Sequence, residues 1–267
     1  MQGCPGLDGY DIVFADLDGV IWIGGEPIED NLAVLRRLAS EGRLVVLTNN
    51  STRSRRVYAS MLRSIGLNIP PERIVTSAYS AAVLLKKERG PSTAMVVGEE
   101  GLVEELVLEG HTVASSGDDV DVDAVVVGLD RNLTYGKLAR AASAIHDGSL
   151  FVATNLDHAL PTPKGLIPGA GSIVALLEKA TGVRPAVVAG KPSRGLVEVL
   201  QTLYRPGKAV VVGDRIDTDV EFARLWGVDS LLVLTGMYRI VGVEEAARMA
   251  GEGVKVARSL GEFCRGG

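Results

Sequence analysis

The chain has 267 residues, 46% hydrophobic and 23% charged, with a net charge of −5. That content is enough for a sizeable core and excludes a disordered chain. The acidic balance, without a long lysine or arginine run, excludes a nucleic-acid backbone as the main partner.

From Asp11 onward strand-like and helix-like segments alternate. Ile12–Ala15 is a short apolar run ending in Asp16-Leu17-Asp18-Gly19. Glu29–Ser40 has helical spacing, with Leu32, Leu35 and Leu38 on one face and Gly42 closing it. Leu44–Leu47 ends in Thr48-Asn49-Asn50, Ser54–Ile65 reads as a helix, Arg73–Thr76 as a strand and Ser77–Lys87 as a helix. Strands follow at Ala94–Val97, Ala124–Val127 and Leu150–Ala153. Ala186–Ala189 then ends in Gly190-Lys191-Pro192, with Pro192 expected at the first helical position and a helix over Ser193–Tyr204. Ala209–Val212 ends in Gly213-Asp214, and Asp217–Trp226, Ser230–Leu234 and Glu244–Ala250 complete the series.

Continuous apolar runs read as strands buried on both faces of a parallel sheet, so the pattern predicts a doubly wound, mostly parallel, Rossmann-like α/β fold. Asp16 to Thr48 and Lys191 to Asp214 are each about one βα unit apart. The stretch between Thr48 and Lys191 is the size of a domain. We therefore expect a discontinuous core, 1–79 and 183–267, with a second α/β unit inserted at about 80–182. Gly98-Glu99 and Gly128-Leu129-Asp130 are expected as structural turns of that insert.

No apolar stretch approaches the roughly 20 residues of a membrane span. The opening residues lack the basic and apolar regions of a signal peptide. A soluble, cytoplasmic protein is expected, with no membrane partner. Cys4 and Cys264 make no CxxC pattern and no disulfide framework, which fits a reducing compartment; a bridge between the two ends is the minor alternative.

Ligands of such sheets bind at the carboxyl ends of the strands, which gathers Asp16, Asp18, Thr48, Lys191 and Asp214 on one rim. Asp16 and Asp18 are two apart and project together, and close carboxylates stay ionised only when a cation joins them. With Asp214 they form an all-oxygen set without His or Cys, which favours Mg²⁺. An aspartate beside that ion can attack phosphorus, and a second carboxyl can protonate the leaving alkoxide and later deprotonate water; Asp18 is placed for that task. The Thr48 hydroxyl, with N–H groups around Asn49, and the Lys191 ammonium suit phosphoryl oxygens. Of the acids after Asp214, Asp217 is expected to orient Lys191 or a metal-bound water. Asp219 is open between that neighbourhood and simple helix capping. Trp22 and Trp226 are expected as packing residues.

With these motifs in this order, the chain resembles the haloacid dehalogenase-like hydrolase superfamily, over nearly its whole length. Within it the chain is similar to the 4-nitrophenylphosphatase branch, which carries a large α/β cap between its second and third motifs. The resemblance implies Asp16 as nucleophile, Asp18 as acid and base, Thr48 and Lys191 as phosphoryl binders, and Mg²⁺ held by Asp16, the Asp18 carbonyl and Asp214. It implies a small phosphorylated metabolite as substrate and pairing of chains through the caps. Asp18 argues against carbon–halogen chemistry. The cap likeness lies in Ala153-Thr154-Asn155-Leu156-Asp157 and Pro168–Ser172. It makes Asn155 a substrate-side residue and the loop His158–Lys164 the chooser of the leaving group. Leu160 gives that loop an apolar contact, and His158 is expected in solvent. A phosphotransferase or mutase, or a non-catalytic phosphometabolite-binding module, are the alternatives; the latter would be marked by loss of Asp16, Asp18 or Asp214. No Gly-x-Gly-x-x-Gly follows the first strand, which disfavours a nucleotide-binding oxidoreductase.

Overall fold

A computed structural model describes residues 4–114, 120–162 and 165–266; Lys164 lies outside them. The chain divides into two compact units. The first takes the residues up to Thr48, Arg56–Val75 and those from Leu200 on; the second takes Asn49–Arg55 and Thr76–Val199. The second unit thus reaches past the expected 80–182 on both sides and includes a short piece directly after Thr48.

In the first unit six strands form one sheet in the order Val254–Ala257, Asp229–Val233, Ala209–Gly213, Ile12–Asp16, Leu44–Thr48, Ile74–Thr76. Ile12–Asp16 lies parallel to both neighbours, with Ile12 opposite Ala209 and Asp16 opposite Leu47. Leu44–Thr48 and Ala209–Gly213 are buried at every position, as strands covered on both faces must be. The chain winds one way from Ile12–Asp16 to Leu44–Thr48 and the other way from Ala209–Gly213 outward. The direction therefore reverses between Ile12–Asp16 and Ala209–Gly213, the crevice where such sheets take ligands. The Glu29–Ser40 helix buries Leu32, Leu35 and Leu38 against the sheet's core. Trp226 stacks near Phe14, 5.0 Å between ring centres, a packing role as expected.

The second unit carries its own parallel sheet in the order Val187–Val188, Leu150–Ala153, Ala124–Val127, Thr93–Val97, Thr112–Val113. Its core joins Val125, Val127 and Phe151 to Ile173, Val174 and Leu177 of the Ala170–Thr181 helix. An antiparallel hairpin, Ala159–Thr162 with Gly165–Pro168, precedes that helix. The strand-end acids of this unit are paired structurally. Glu99 meets Arg131, and Asp130 accepts from the Asn132 N–H and from Lys137 Nζ, both at 2.8 Å.

Three sequence expectations change, and two elements are added. The helix after Lys191 begins at Arg194, with Ser193 Oγ accepting the Leu196 N–H, and Pro192 precedes it in a cis peptide. The segment expected as one helix over Asp217–Trp226 is a π-turn, Ile216–Val220, followed by Glu221–Trp226. An edge strand at Val254–Ala257 and a helix at Leu260–Arg265 close the chain. Cys4 and Cys264 form a disulfide, because short helices at Pro5–Asp8 and Leu260–Arg265 bring the two ends together. Among the described residues no helix is long and apolar enough to cross a membrane.

Candidate active site

Three neighbouring strands of the first unit deliver Asp16, Thr48 and Asp214 to one rim, each at or just past a strand end. Carboxylate oxygens of Asp16, Asp214 and Asp219 lie within 4.8 Å of one another. Asp214 and Asp219 are buried and Asp16 is half-buried. Three acids held this close repel unless a cation shares their oxygens, and an all-oxygen donor set suits a hard divalent ion. The residues therefore fit a metal.

Asp219 enters this cluster and Asp217 does not. The π-turn inserts one residue into the helical winding, a device common at functional sites, and turns Asp219 inward, where the Arg215 N–H donates to its Oδ2 at 3.1 Å. Asp217 points outward, 56% exposed, and pairs with Arg215 at 2.6 Å. Asp217 was expected to orient Lys191 or a metal-bound water; here it makes an ion pair with Arg215. The Asp-x-x-x-x-Asp spacing from 214 to 219 was the signal in the sequence, but an ordinary helix would not have resolved it.

Asp18 is exposed, and its Oδ1 accepts from the Trp22 indole N–H at 2.8 Å. The turn holding it is closed by the Gly19 N–H to the Trp22 carbonyl at 2.7 Å. Trp22, expected only to pack, therefore also fixes the Asp18 carboxyl. Asp214 is set from the other side, where the Met237 N–H donates to its Oδ2 at 2.8 Å. Thr235 donates its hydroxyl to the Gly19 carbonyl. The buried Asn31 donates to the Val20 carbonyl at 2.7 Å. Asn31 and Thr235 were invisible as site residues because nothing in their sequence surroundings marks them.

In the second unit Lys191 is buried after the Val187–Val188 strand. Asn49 and Asn155, expected on the substrate side, also hydrogen-bond within the protein. The Asn49 amide is engaged by the Lys191 main chain and by Asp157. Asn155 donates to the Asn49 carbonyl at 2.8 Å and accepts from the Asp157 N–H at 3.0 Å. His158 is exposed, as expected, and its carbonyl anchors the Gly169 N–H and the Ser172 hydroxyl.

Comparison with known proteins places this geometry in company. A family model described as haloacid dehalogenase-like hydrolase matches residues 13–112, and a related HAD-hydrolase-like model matches 188–263. The chain is 41% identical over 229 residues to D-glycerol 3-phosphate phosphatase of Mycobacterium tuberculosis. That match spans 85% of this chain and 64% of the relative, just under two thirds of its length. The solved structure of p-nitrophenyl phosphatase from Archaeoglobus fulgidus superposes with a TM-score of 0.86 at 33% identity, covering 96% of this chain and 99% of that one. A glycerol phosphate phosphatase from Mycobacterium tuberculosis, solved in complex with magnesium, superposes with a TM-score of 0.86 at 37% identity, covering 99% and 79%.

Proposed function

The chain belongs to the haloacid dehalogenase-like hydrolases, and we propose that within them it is a magnesium-dependent phosphatase of small phosphomonoesters, working through an aspartyl-phosphate. The observation that carries this reading is the cluster of Asp16, Asp214 and Asp219 beside the point where the sheet reverses direction. Asp16 and Asp214, with the Asp18 carbonyl, are the residues proposed to hold Mg²⁺, and Asp219 supports them. When bound, the ion offsets the charge of the carboxylates and of the phosphoryl oxygens.

In this reading the Asp16 carboxylate attacks phosphorus in line as the bond to the leaving oxygen breaks. Asp18, its carboxyl fixed by the Trp22 indole, gives its proton to the leaving alkoxide. The same carboxylate then takes a proton from water, which attacks the phosphorus and returns Asp16 and inorganic phosphate. The Thr48 hydroxyl and the Lys191 ammonium are each proposed as partners of phosphoryl oxygens. Residues 80–182 are proposed as the inserted cap, with 1–79 and 183–267 as the catalytic core. Phosphorylated metabolites are the substrate class and 4-nitrophenyl phosphate an artificial one.

The test is hydrolysis of 4-nitrophenyl phosphate. Asp16→Asn should abolish it while leaving the melting temperature close to that of the parent, and chelation should abolish it reversibly. Intact-mass analysis after rapid quenching should show one added phosphoryl group in the parent and none in Asp16→Asn. Turnover that survives both treatments refutes the reading.

A further inference from the structure

Thr48 ends a strand of the first unit, yet the next seven residues, Asn49–Arg55, belong to the second. They lie along the carboxyl ends of that unit's parallel strands, where an open α/β sheet ordinarily takes its ligand. Glycines make room for them. A Cβ on Gly190 would stand 2.7 Å from Asn49 Oδ1, and one on Gly101 would stand 2.3 Å from the Arg53 backbone. The segment curls where Asn50 Oδ1 accepts from the Thr52 N–H and hydroxyl. It is anchored where Arg55 donates its N–H and Nε to the buried Glu105 and lies over the Tyr79 ring, 3.5 Å from its centre.

Within this strap Asn49 makes the bonds that matter for chemistry. Its Oδ1 accepts the Lys191 N–H at 2.7 Å, and its Nδ2 donates to the Lys191 carbonyl at 2.8 Å. The same Nδ2 donates to Asp157 Oδ2 at 3.0 Å. The Asn49 carbonyl is itself held by Asn155 Nδ2 at 2.8 Å and by the Ser77 hydroxyl at 2.6 Å. One side-chain amide thus pairs in both directions with one residue's main chain, as a neighbouring strand would. Two opposed bonds fix the rotation of the Lys191 backbone as well as its place. They therefore fix the root of its side chain, and Asp157 decides which end of the amide carries the donor.

We propose that Asn49 is a positioning residue for Lys191, its amide setting the lysine's main chain and Asp157 setting the amide. This rests on the reading of Lys191 as the phosphoryl-binding cation. A lysine displaced by about 1 Å loses much of its use, on the order of 100-fold in rate.

Asn49→Asp keeps the shape but turns the donor into an acceptor facing the Lys191 carbonyl and the Asp157 carboxylate. Its kcat/KM for 4-nitrophenyl phosphate should fall by about 100-fold. Inhibition by inorganic phosphate should weaken about tenfold, while the Mg²⁺ concentration giving half activity stays as in the parent. Adding Asp157→Asn supplies a donor to the new carboxylate and should restore part of the loss. Should Asn49→Asp not fold, Asn49→Ser removes both bonds with less repulsion and carries the same expectations. A variant with parental kcat/KM overturns the proposal. So does one whose phosphate and metal requirements worsen together, since that describes general loosening. Amide hydrogen exchange at Lys191 gives a readout independent of turnover: Asn49→Ser should speed it, because the N–H loses its acceptor. Unchanged exchange sinks the Asn49–Lys191 link even if the enzyme is a phosphatase. Accelerated exchange in a protein without turnover sinks the phosphatase reading and keeps the link.

Discussion

Gly236 packs against Asp214 so closely that a Cβ there would stand 2.0 Å from Oδ2, and one on Gly19, at φ +89°, would stand 2.4 Å from Cγ. The carboxylate is thus walled in on two sides and receives the Met237 N–H on one oxygen, which leaves it little freedom to leave the cluster. Asp219 is held with similar economy by the Arg215 N–H. At this scale the two acids of the π-turn should separate cleanly. Asp219→Asn removes a charge from the group of oxygens within 4.8 Å and should raise the Mg²⁺ concentration for half activity by about 10- to 100-fold. Asp217→Asn breaks an exposed pair with Arg215, worth under about 1 kcal/mol, and should leave that concentration unmoved. A metal titration of both variants decides the matter, and equal effects would return Asp217 to the site.

The elements that carry the rim motifs were legible because their strands are apolar without interruption, and only a strand buried on both faces reads that way. Leu44–Thr48 and Ala209–Gly213 are the clearest cases. Val254–Ala257 is not legible in the sequence because it lies at the sheet edge and alternates, with Lys255 exposed, and a short edge strand carries little apolar signal. The bonding of Asn49 was hidden for another reason, since its partners Asp157 and Lys191 are remote in sequence. The strap's anchor and the Glu99–Arg131 pair behave oppositely toward protons. Burial holds the Glu105 carboxyl above the usual glutamate range, with Arg55 pulling it back. Its ionisation is therefore costlier folded than unfolded, and its contribution to stability, full below the unfolded pKa, is lost as pH rises through the folded one. The Arg131 guanidinium holds Glu99 below that range, so its contribution is present above the unfolded pKa and lost as pH falls through the folded one. Melting curves from acid to neutral pH should show the advantage of the parent over Glu105→Gln shrinking upward from the glutamate range. Its advantage over Glu99→Gln should grow as pH rises up to that range. Parallel trends would show that the two carboxyls do not differ as their surroundings imply.

On the scale of the whole molecule, the first unit is assembled from both ends of the chain, and those ends are tied. The Cys4–Cys264 bond spans a sequence separation of 260 residues. A pair so far apart leaves no local pattern, which is why spacing alone suits a reducing compartment and leaves this bridge as the minor alternative. Non-covalent contacts already hold both termini to the Glu29–Ser40 helix. Asp8 pairs with Arg37 at 2.7 Å, Asp30 pairs with Arg265 at 3.0 Å, and the Leu260 N–H donates to Asn31 Oδ1 at 2.8 Å. Asn31 also donates to the Val20 carbonyl. A crosslink closing so long a loop stabilises mainly by restricting the unfolded chain. Because the ends remain packed without it, its removal should cost toward the lower end of the usual range, about 2 kcal/mol. That corresponds to a fall of roughly 4–8 °C in the melting temperature of a chain this size. Calorimetry of Cys4→Ser, and of the parent with and without reductant, should show that drop, with room-temperature hydrolysis of 4-nitrophenyl phosphate unchanged per folded molecule. If neither substitution nor reductant moves the melting temperature, the termini are held by packing and ion pairs alone.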